Sequence, residues 1–257
     1  MIDLRKKFLD LGVINEKNFL SPSDKKIIKL NFNTILSHYI NYKPTSFEDE
    51  KLHKKLIKMR NTNLIKFGDF YDTLNLSIGL KKLFLQDNFL KLFSKILNVH
   101  PYNLFINGFM FRLDVPNDER NNLDWHQDSP YYGMNYPEFN SGVCWVSVTE
   151  NNFENGSLMY IPKSHKDGYK RTKGSKIQSY SSQQYKIKGL KNSAIETLNG
   201  KFGDLSCFSM KNIHRSGKNI SKKIRMTIGC RFHEVNKKFN VGKEVYIFNK
   251  SRKITLF

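Results

Sequence analysis

The chain is poor in the residues that mark several common protein classes. Only three cysteines occur in 257 residues, Cys144, Cys207 and Cys230, odd in number, far apart and each inside an apolar run. That usage excludes a disulfide framework and reads as reduced core thiols of a cytoplasmic protein. No apolar run approaches the roughly 18 residues of a membrane span, and the opening Met1-Ile2-Asp3-Leu4-Arg5 does not start a signal peptide. Arginine is scarce, since lysine supplies 34 of the 43 basic residues, and with 23 acidic residues the net charge is +20. Such a charge attracts phosphates. Yet the lysines are spread from end to end, and the side chain best suited to reading phosphates and bases is the rare one. The balance favours a generally basic surface over a dedicated nucleic-acid site.

What is present suits a packed globule: hydrophobic residues make up 39% and aromatics 13%. At this length the expectation is a single catalytic domain over residues 1–257. Residues 1–100 lean helical. Apolar positions recur at three- and four-residue spacing through Leu80, Leu83, Phe84, Phe89, Leu90, Leu92, Phe93, Ile96 and Leu97, which predicts one helix. The polar stretch Lys43 to Glu50 predicts a loop and a further helix start at Ser46.

From residue 104 the pattern turns to short β-prone runs: Leu104 to Leu113, Gly142 to Val148, Ser157 to Ile161, Leu205 to Met210, Met226 to Phe232 and Val245 to Phe248. Their spacing predicts a sandwich or barrel over 104–248. Lys163 to Ser193, rich in Lys, Ser, Gln and Tyr, reads as a long surface excursion of the kind that forms lids or substrate contacts.

The chemistry concentrates in Leu123-Asp124-Trp125-His126-Gln127-Asp128-Ser129. A His and an Asp two apart point to the same side of an extended backbone, so both can reach one ion. Alone the pair is a weak signal. A third ligand is offered by His214, which follows the β-prone Leu205 to Met210. Two imidazoles and one carboxylate leave coordination positions open, as a non-haem iron(II) oxygenase requires. Zinc accepts the same donors. Arg225, eleven residues beyond His214 in a β-prone run, tips the balance to iron: a buried guanidinium fork suits a carboxylate co-substrate. Arg231, six residues further on the same strand face, is a second candidate for that role.

These motifs resemble the phytanoyl-CoA dioxygenase family of iron(II)/2-oxoglutarate oxygenases. The resemblance spans roughly residues 104–233. It rests on Trp125-His126-Gln127-Asp128, on Glu154-Asn155-Gly156-Ser157 through His165-Lys166, on Gly203-Asp204, and on His214-x-Ser216-Gly217-x-Asn219-x-Ser221 leading to Arg225. It implies a mainly β fold, a double-stranded β-helix (jelly roll, cupin-like) braced by amino-terminal helices. It implies His126, Asp128 and His214 as iron ligands, Arg225 on the 2-oxoglutarate carboxylate, Ser216 assisting it and Trp145 lining its pocket. Iron(II), 2-oxoglutarate and O₂ would then hydroxylate an unactivated C–H bond of a small molecule, releasing succinate and CO₂. A carboxylate at Asp128, where halogenating relatives carry a small residue, favours hydroxylation.

His165 falls in the motif Ser-His-Lys and is read as shaping a loop; His38, His53, His100 and His233 lie outside ligand spacing. Asn155-Gly156 is a turn signal that needs no catalytic role. Two other classes compete. One is a zinc-dependent hydrolase or isomerase on the same barrel. The other is a non-catalytic basic binding module built on the lysines and tyrosines of Lys163 to Lys191. The basic surface favours an anionic substrate, and nothing in the chain names it.

Overall fold

The computed structural model describes residues 3–118, 122–128, 140–170, 173–176, 183–187, 190, 194–235, 246–249 and 252–255. The first part of the chain is a layer of helices whose starts are set by short polar side chains. Asp3, Ser21, Asp49 and Asn63 accept hydrogen bonds from the free N–H groups of α1 (Leu4–Leu11), α2 (Pro22–Ser37), α3 (Glu50–Thr62) and α4 (Leu64–Leu76). Ser21 and Asp24 form a reciprocal capping box. The expected start at Ser46 therefore moves to Asp49, whose carboxylate faces the N–H groups of Lys51 and Leu52.

The single helix expected through Leu97 is also broken. Short α5 (Ile78–Lys81) tightens into a 3-10 turn at Lys82–Leu85, Gln86 is extended, and α6 (Asp87–Leu97) begins afresh. Leu83 and Phe84 in this turn are both buried.

One strand lies among these helices, β1 (Val13–Glu16), which the helical reading of the first hundred residues missed. It forms an edge of a five-stranded antiparallel sheet in the order β1-β8-β3-β10-β2, with β2 at Leu104–Asp114, β3 at Ser141–Ser147, β8 at Leu205–Ser209 and β10 at Arg225–Glu234. A second, three-stranded sheet is ordered β7 (Glu196–Thr197), β4 (Met159–Tyr160), β9 (His214–Arg215). The two sheets with their flanking helices form the expected double-stranded β-helix.

Strand β10 shows how alternation divides the interior. Met226, Ile228, Cys230 and Phe232 join the large core shared with the helices, where Phe232 stacks on Phe93 at 4.2 Å between ring centroids. Arg225, Thr227, Gly229, Arg231 and His233 take the other face, toward the second sheet. Where β10 meets β2, Gly229 pairs with Met110 but Arg231 with Asn107, so Gly108 and Phe109 oppose the single residue Cys230. Gly108 takes φ +57° in this bulge.

The three cysteines, distant in sequence, lie abreast: Cys144 pairs in register with Cys207 on one side and Cys230 on the other. All are free and buried, and burial followed by contact with its two neighbours raises the Cys144 thiol well above its usual range.

One expectation needs correction. Tyr246–Asn249 (β11) pairs with Arg252–Thr255 (β12) in a separate hairpin and does not join the barrel sheets; Val245 lies outside the described residues. The stretch Lys163 to Ser193 carries a 3-10 turn at Ser164–Asp167 and a hairpin of β5 (Lys173–Lys176) with β6 (Gln183–Lys186). Its residues 171–172, 177–182, 188–189 and 191–193 lie outside the described ones.

Candidate active site

The His126 segment is drawn onto β9 by a two-way backbone bridge. His126 N donates to the His214 carbonyl at 2.9 Å, and His214 N donates back to the His126 carbonyl at 3.0 Å. This pairing sets the two imidazoles side by side, their centroids 4.2 Å apart. Asp128, on the same side of the extended segment as His126, reaches both rings: its Oδ1 lies 3.5 Å from His126 Nε2 and 3.4 Å from His214 Nε2.

His126, Asp128 and His214 each offer one ligand atom within 4.8 Å of the others, and all three residues are buried. Among the described residues this is the one such group of metal-ligating side chains. The chemistry of the donors fits a divalent ion. Nδ1 of His126 lies 2.6 Å from the Asp124 carbonyl, and Nδ1 of His214 lies 2.9 Å from the Asn212 carbonyl. A carbonyl only accepts, so each Nδ1 carries the proton and each Nε2 keeps its lone pair for a metal. Burial, with His214 nearby, holds His126 below the ordinary imidazole range, so it is neutral as a ligand must be. Burial alone would raise Asp128, but the Arg231 guanidinium overrules it and holds the carboxyl well below its usual range.

A cavity between the two sheets holds the remaining residues singled out from the sequence. Arg225, Ser216 and Trp145 all line it, with Ser147, Asn151 and Thr227 beside them. Within it several buried polar atoms have no hydrogen-bond partner among the described residues: Arg225 Nε, Trp145 Nε1 and Thr227 Oγ1. Orphaned donors around a guanidinium are the setting an anionic ligand completes. Arg225 is itself oriented by Asp114, to which Nη2 donates at 2.6 Å.

Arg231, the alternative partner for a carboxylate, is placed elsewhere. Its Nε and Nη2 donate to Asp128 Oδ2 at 3.1 Å and 2.9 Å, and it does not line the cavity. His165 stands apart from the cluster, its Nε2 2.9 Å from the Leu9 carbonyl and its ring packed over Gly12.

Several residues of the site have no motif. Arg112 lines the cavity and donates from Nη2 to Asp114 Oδ1 at 2.7 Å, so one buried carboxylate serves two guanidinia. The alternation Arg112-x-Asp114 at the end of an apolar strand was the available signal. Gly229 pairs with Trp145 in register, and a Cβ there would stand 2.7 Å from Trp145 Cε3. Nothing short of the strand pairing shows that requirement.

The fold and this cluster together define a class, a double-stranded β-helix with a buried two-histidine, one-carboxylate group beside an arginine-bearing cavity. The family model described as Phytanoyl-CoA dioxygenase (PhyH) matches residues 10–227, and the chain belongs to that family. The match reaches well into the amino-terminal helices, beyond the 104–233 that the motifs covered. No curated protein matches the chain. Among solved structures, EvdO2 from Micromonospora carbonacea var. aurantiaca complexed with 2-oxoglutarate superposes with a TM-score of 0.60 at 15% identity, covering 91% of this chain and 91% of that one. EctD from S. alaskensis with 2-oxoglutarate and 5-hydroxyectoine gives 0.60 at 14% identity, covering 93% of this chain and 78% of that one. The epimerase SnoN in complex with Fe3+, alpha ketoglutarate and nogalamycin RO gives 0.58 at 13% identity, over 90% of this chain and 82% of that one. At such identities the likeness is one of fold. No described helix is long and apolar enough to cross a membrane.

Proposed function

We propose that the protein is an iron(II)/2-oxoglutarate-dependent oxygenase that hydroxylates an unactivated C–H bond of a small-molecule metabolite, releasing succinate and CO₂. The observation that carries this reading is the convergence of His126 Nε2, Asp128 Oδ1 and His214 Nε2, buried and within 4.8 Å of one another. Two imidazoles and a carboxylate suit iron(II) and leave positions free for a chelating co-substrate and O₂. When bound, the iron and 2-oxoglutarate supply the O₂ activation and the oxidising power.

The protein's own part is to hold and orient. His126 and His214 present neutral Nε2 atoms, each fixed by a backbone carbonyl behind it. Arg225, already turned by Asp114, has Nε free for the distal carboxylate of 2-oxoglutarate, with Ser216 and Trp145 lining the same cavity. A zinc hydrolase that activates only water has no use for this buried cationic chamber, which is why the oxygenase reading is preferred. Asp128 occupies the position that a halide would need, which favours hydroxylation. The net charge of +20 supports an anionic metabolite as substrate, and the three free, buried cysteines support a reducing cytoplasmic setting. Residues 1–257 are taken as one catalytic unit.

Anaerobic addition of iron(II) and 2-oxoglutarate should produce a weak visible charge-transfer band that Asp128→Ala lacks. Absence of the band in the parent protein sinks the co-substrate reading. With a substrate in hand, the product should gain one oxygen atom from O₂. A product of unchanged mass formed with stoichiometric succinate would keep the cofactors and overturn hydroxylation.

A further inference from the structure

The two oxygens of Asp128 are divided between different tasks. Oδ1 faces Nε2 of both histidines, at 3.5 Å and 3.4 Å. Oδ2 takes the guanidinium of Arg231, from Nε at 3.1 Å and Nη2 at 2.9 Å. The remaining nitrogen, Nη1, donates to the Gly108 carbonyl at 3.1 Å. That carbonyl belongs to the β2 bulge, in the residue with φ +57°, a conformation that glycine adopts without strain. Arg231 is thus held from both sides, by a fixed backbone acceptor and by the outer oxygen of a candidate metal ligand. Arg231 and Asp128 are 5% and 4% exposed, so water does not loosen the arrangement.

We infer that Arg231 is a positioning residue that keeps Asp128 a one-oxygen ligand, an inference that rests on the metal site proposed above. A carboxylate with both oxygens free can bind a cation through one or both. Closing with both would consume a position that the co-substrate or O₂ needs. The planar fork of Arg231 resists that rotation, because turning Oδ2 inward breaks two charge-assisted hydrogen bonds at once. The bulge at Gly108 supplies the second anchor, and bulges beside active sites commonly re-aim a group in this way.

Metal affinity is a poor reporter here, because the Arg231 charge repels a metal cation while the orientation it imposes favours binding. The coordination sphere itself reports the effect. The test loads cobalt(II), a spectroscopic stand-in for iron(II), into the full-length parent and into Arg231→Gln, Arg231→Lys and Arg225→Gln. Arg231→Gln should change the visible cobalt(II) absorption before any 2-oxoglutarate is added, and should weaken 2-oxoglutarate binding to the cobalt form by about tenfold or more. Arg231→Lys keeps the charge without the two-sided hold, so its cobalt spectrum should shift in the same direction. Arg225→Gln should weaken 2-oxoglutarate binding and leave the cobalt-only spectrum as in the parent. If Arg231→Gln fails to fold by circular dichroism, Arg231→Lys carries the test. Cobalt-only spectra identical to the parent in the folded Arg231 variants overturn the inference. A parent protein that takes up no cobalt overturns the metal site, and this inference with it.

Discussion

Arg225 and Asp114 face each other in register across β10 and β2, and their side chains join at 2.6 Å between Nη2 and Oδ2. The pair is buried, and Asp114 also binds Arg112, so the carboxylate sets the direction of both guanidinia that line the cavity. Burial, relieved by Asp114 and aggravated by Arg112, lowers the affinity of Arg225 for its proton. A second anion, the distal carboxylate of the co-substrate, would relieve the remaining excess of positive charge.

Arg225→Lys should therefore raise the KM for 2-oxoglutarate by about 10- to 100-fold. A lysine ammonium keeps the charge but cannot hold Asp114 and a ligand with one planar fork, a loss worth about 1–3 kcal/mol. Steady-state kinetics at varied 2-oxoglutarate decides it, and an unchanged KM would remove Arg225 from the co-substrate site.

Asp114→Asn should destabilise the protein by about 3–5 kcal/mol, because it leaves two buried guanidinia without their shared anion. Urea unfolding measures this. A loss below about 1 kcal/mol would mean that other groups balance the arginines.

Gly229→Ala should disturb the cavity with little change in overall architecture. The added methyl would meet Trp145 Cε3 at 2.7 Å and the Cys144 carbonyl at 2.9 Å, so the indole must turn away and the β3 backbone must give slightly. Overpacking of this kind costs about 1–3 kcal/mol. The expected reading is a higher KM for 2-oxoglutarate with an unchanged far-ultraviolet circular dichroism spectrum; a KM equal to the parent's would detach Trp145 from binding.

Acid should weaken the fold through buried imidazoles. His53, His126 and His233 are all held below the ordinary range, foremost by burial, and His233, with Arg231 near, is pushed down to about 3. Unfolded imidazoles take up protons near pH 6.5, so as pH falls below that value the unfolded state binds more protons than the folded one. Stability is then lost progressively until the folded value of about 3 is reached. From His233 alone the loss between pH 7 and pH 4 is about 3 kcal/mol. His233→Gln should flatten that decline in urea midpoints taken across the range, and an unaltered slope would show that His233 does not stay neutral in the fold.

Phe93→Ala should cost about 3–5 kcal/mol, since its ring is buried and stacked within 8° of parallel on Phe232. The site lies on the opposite face of β10, so cobalt uptake by the folded variant should match the parent. Weakened uptake would mean that the helical layer positions the ligands more directly than strand alternation suggests.

Much of this was legible because it depends on local spacing. The period of two in Met226, Ile228, Cys230 and Phe232 announces a strand with one buried apolar face, and His126 and Asp128 share a side of an extended segment for the same reason. Their companionship with His214 came from the order of motifs and not from distance. Less legible were features that depend on long-range partners. Val13–Glu16 is too short to announce itself among helices and is a strand because β8 offers it an edge. The break at Gln86, where the backbone turns extended between the 3-10 turn and α6, interrupts an apolar spacing that by itself reads as continuous.

The sequence by itself offered the candidate donors, the family motifs and the candidates Arg225 and Arg231, since residue type, spacing and motif order are local properties of the chain. Only the tertiary structure gives those two arginines different surroundings. On one strand face, six residues apart, they are equivalent in pattern; what separates them is which carboxylate comes within hydrogen-bonding reach. Asp114 turns Arg225 into the cavity, whereas the β2 bulge and the His126–His214 bridge bring Gly108 and Asp128 to Arg231. Hydrogen bonds act over about 3 Å, and contacts between residues more than a hundred positions apart are set by sheet register, which no local pattern records.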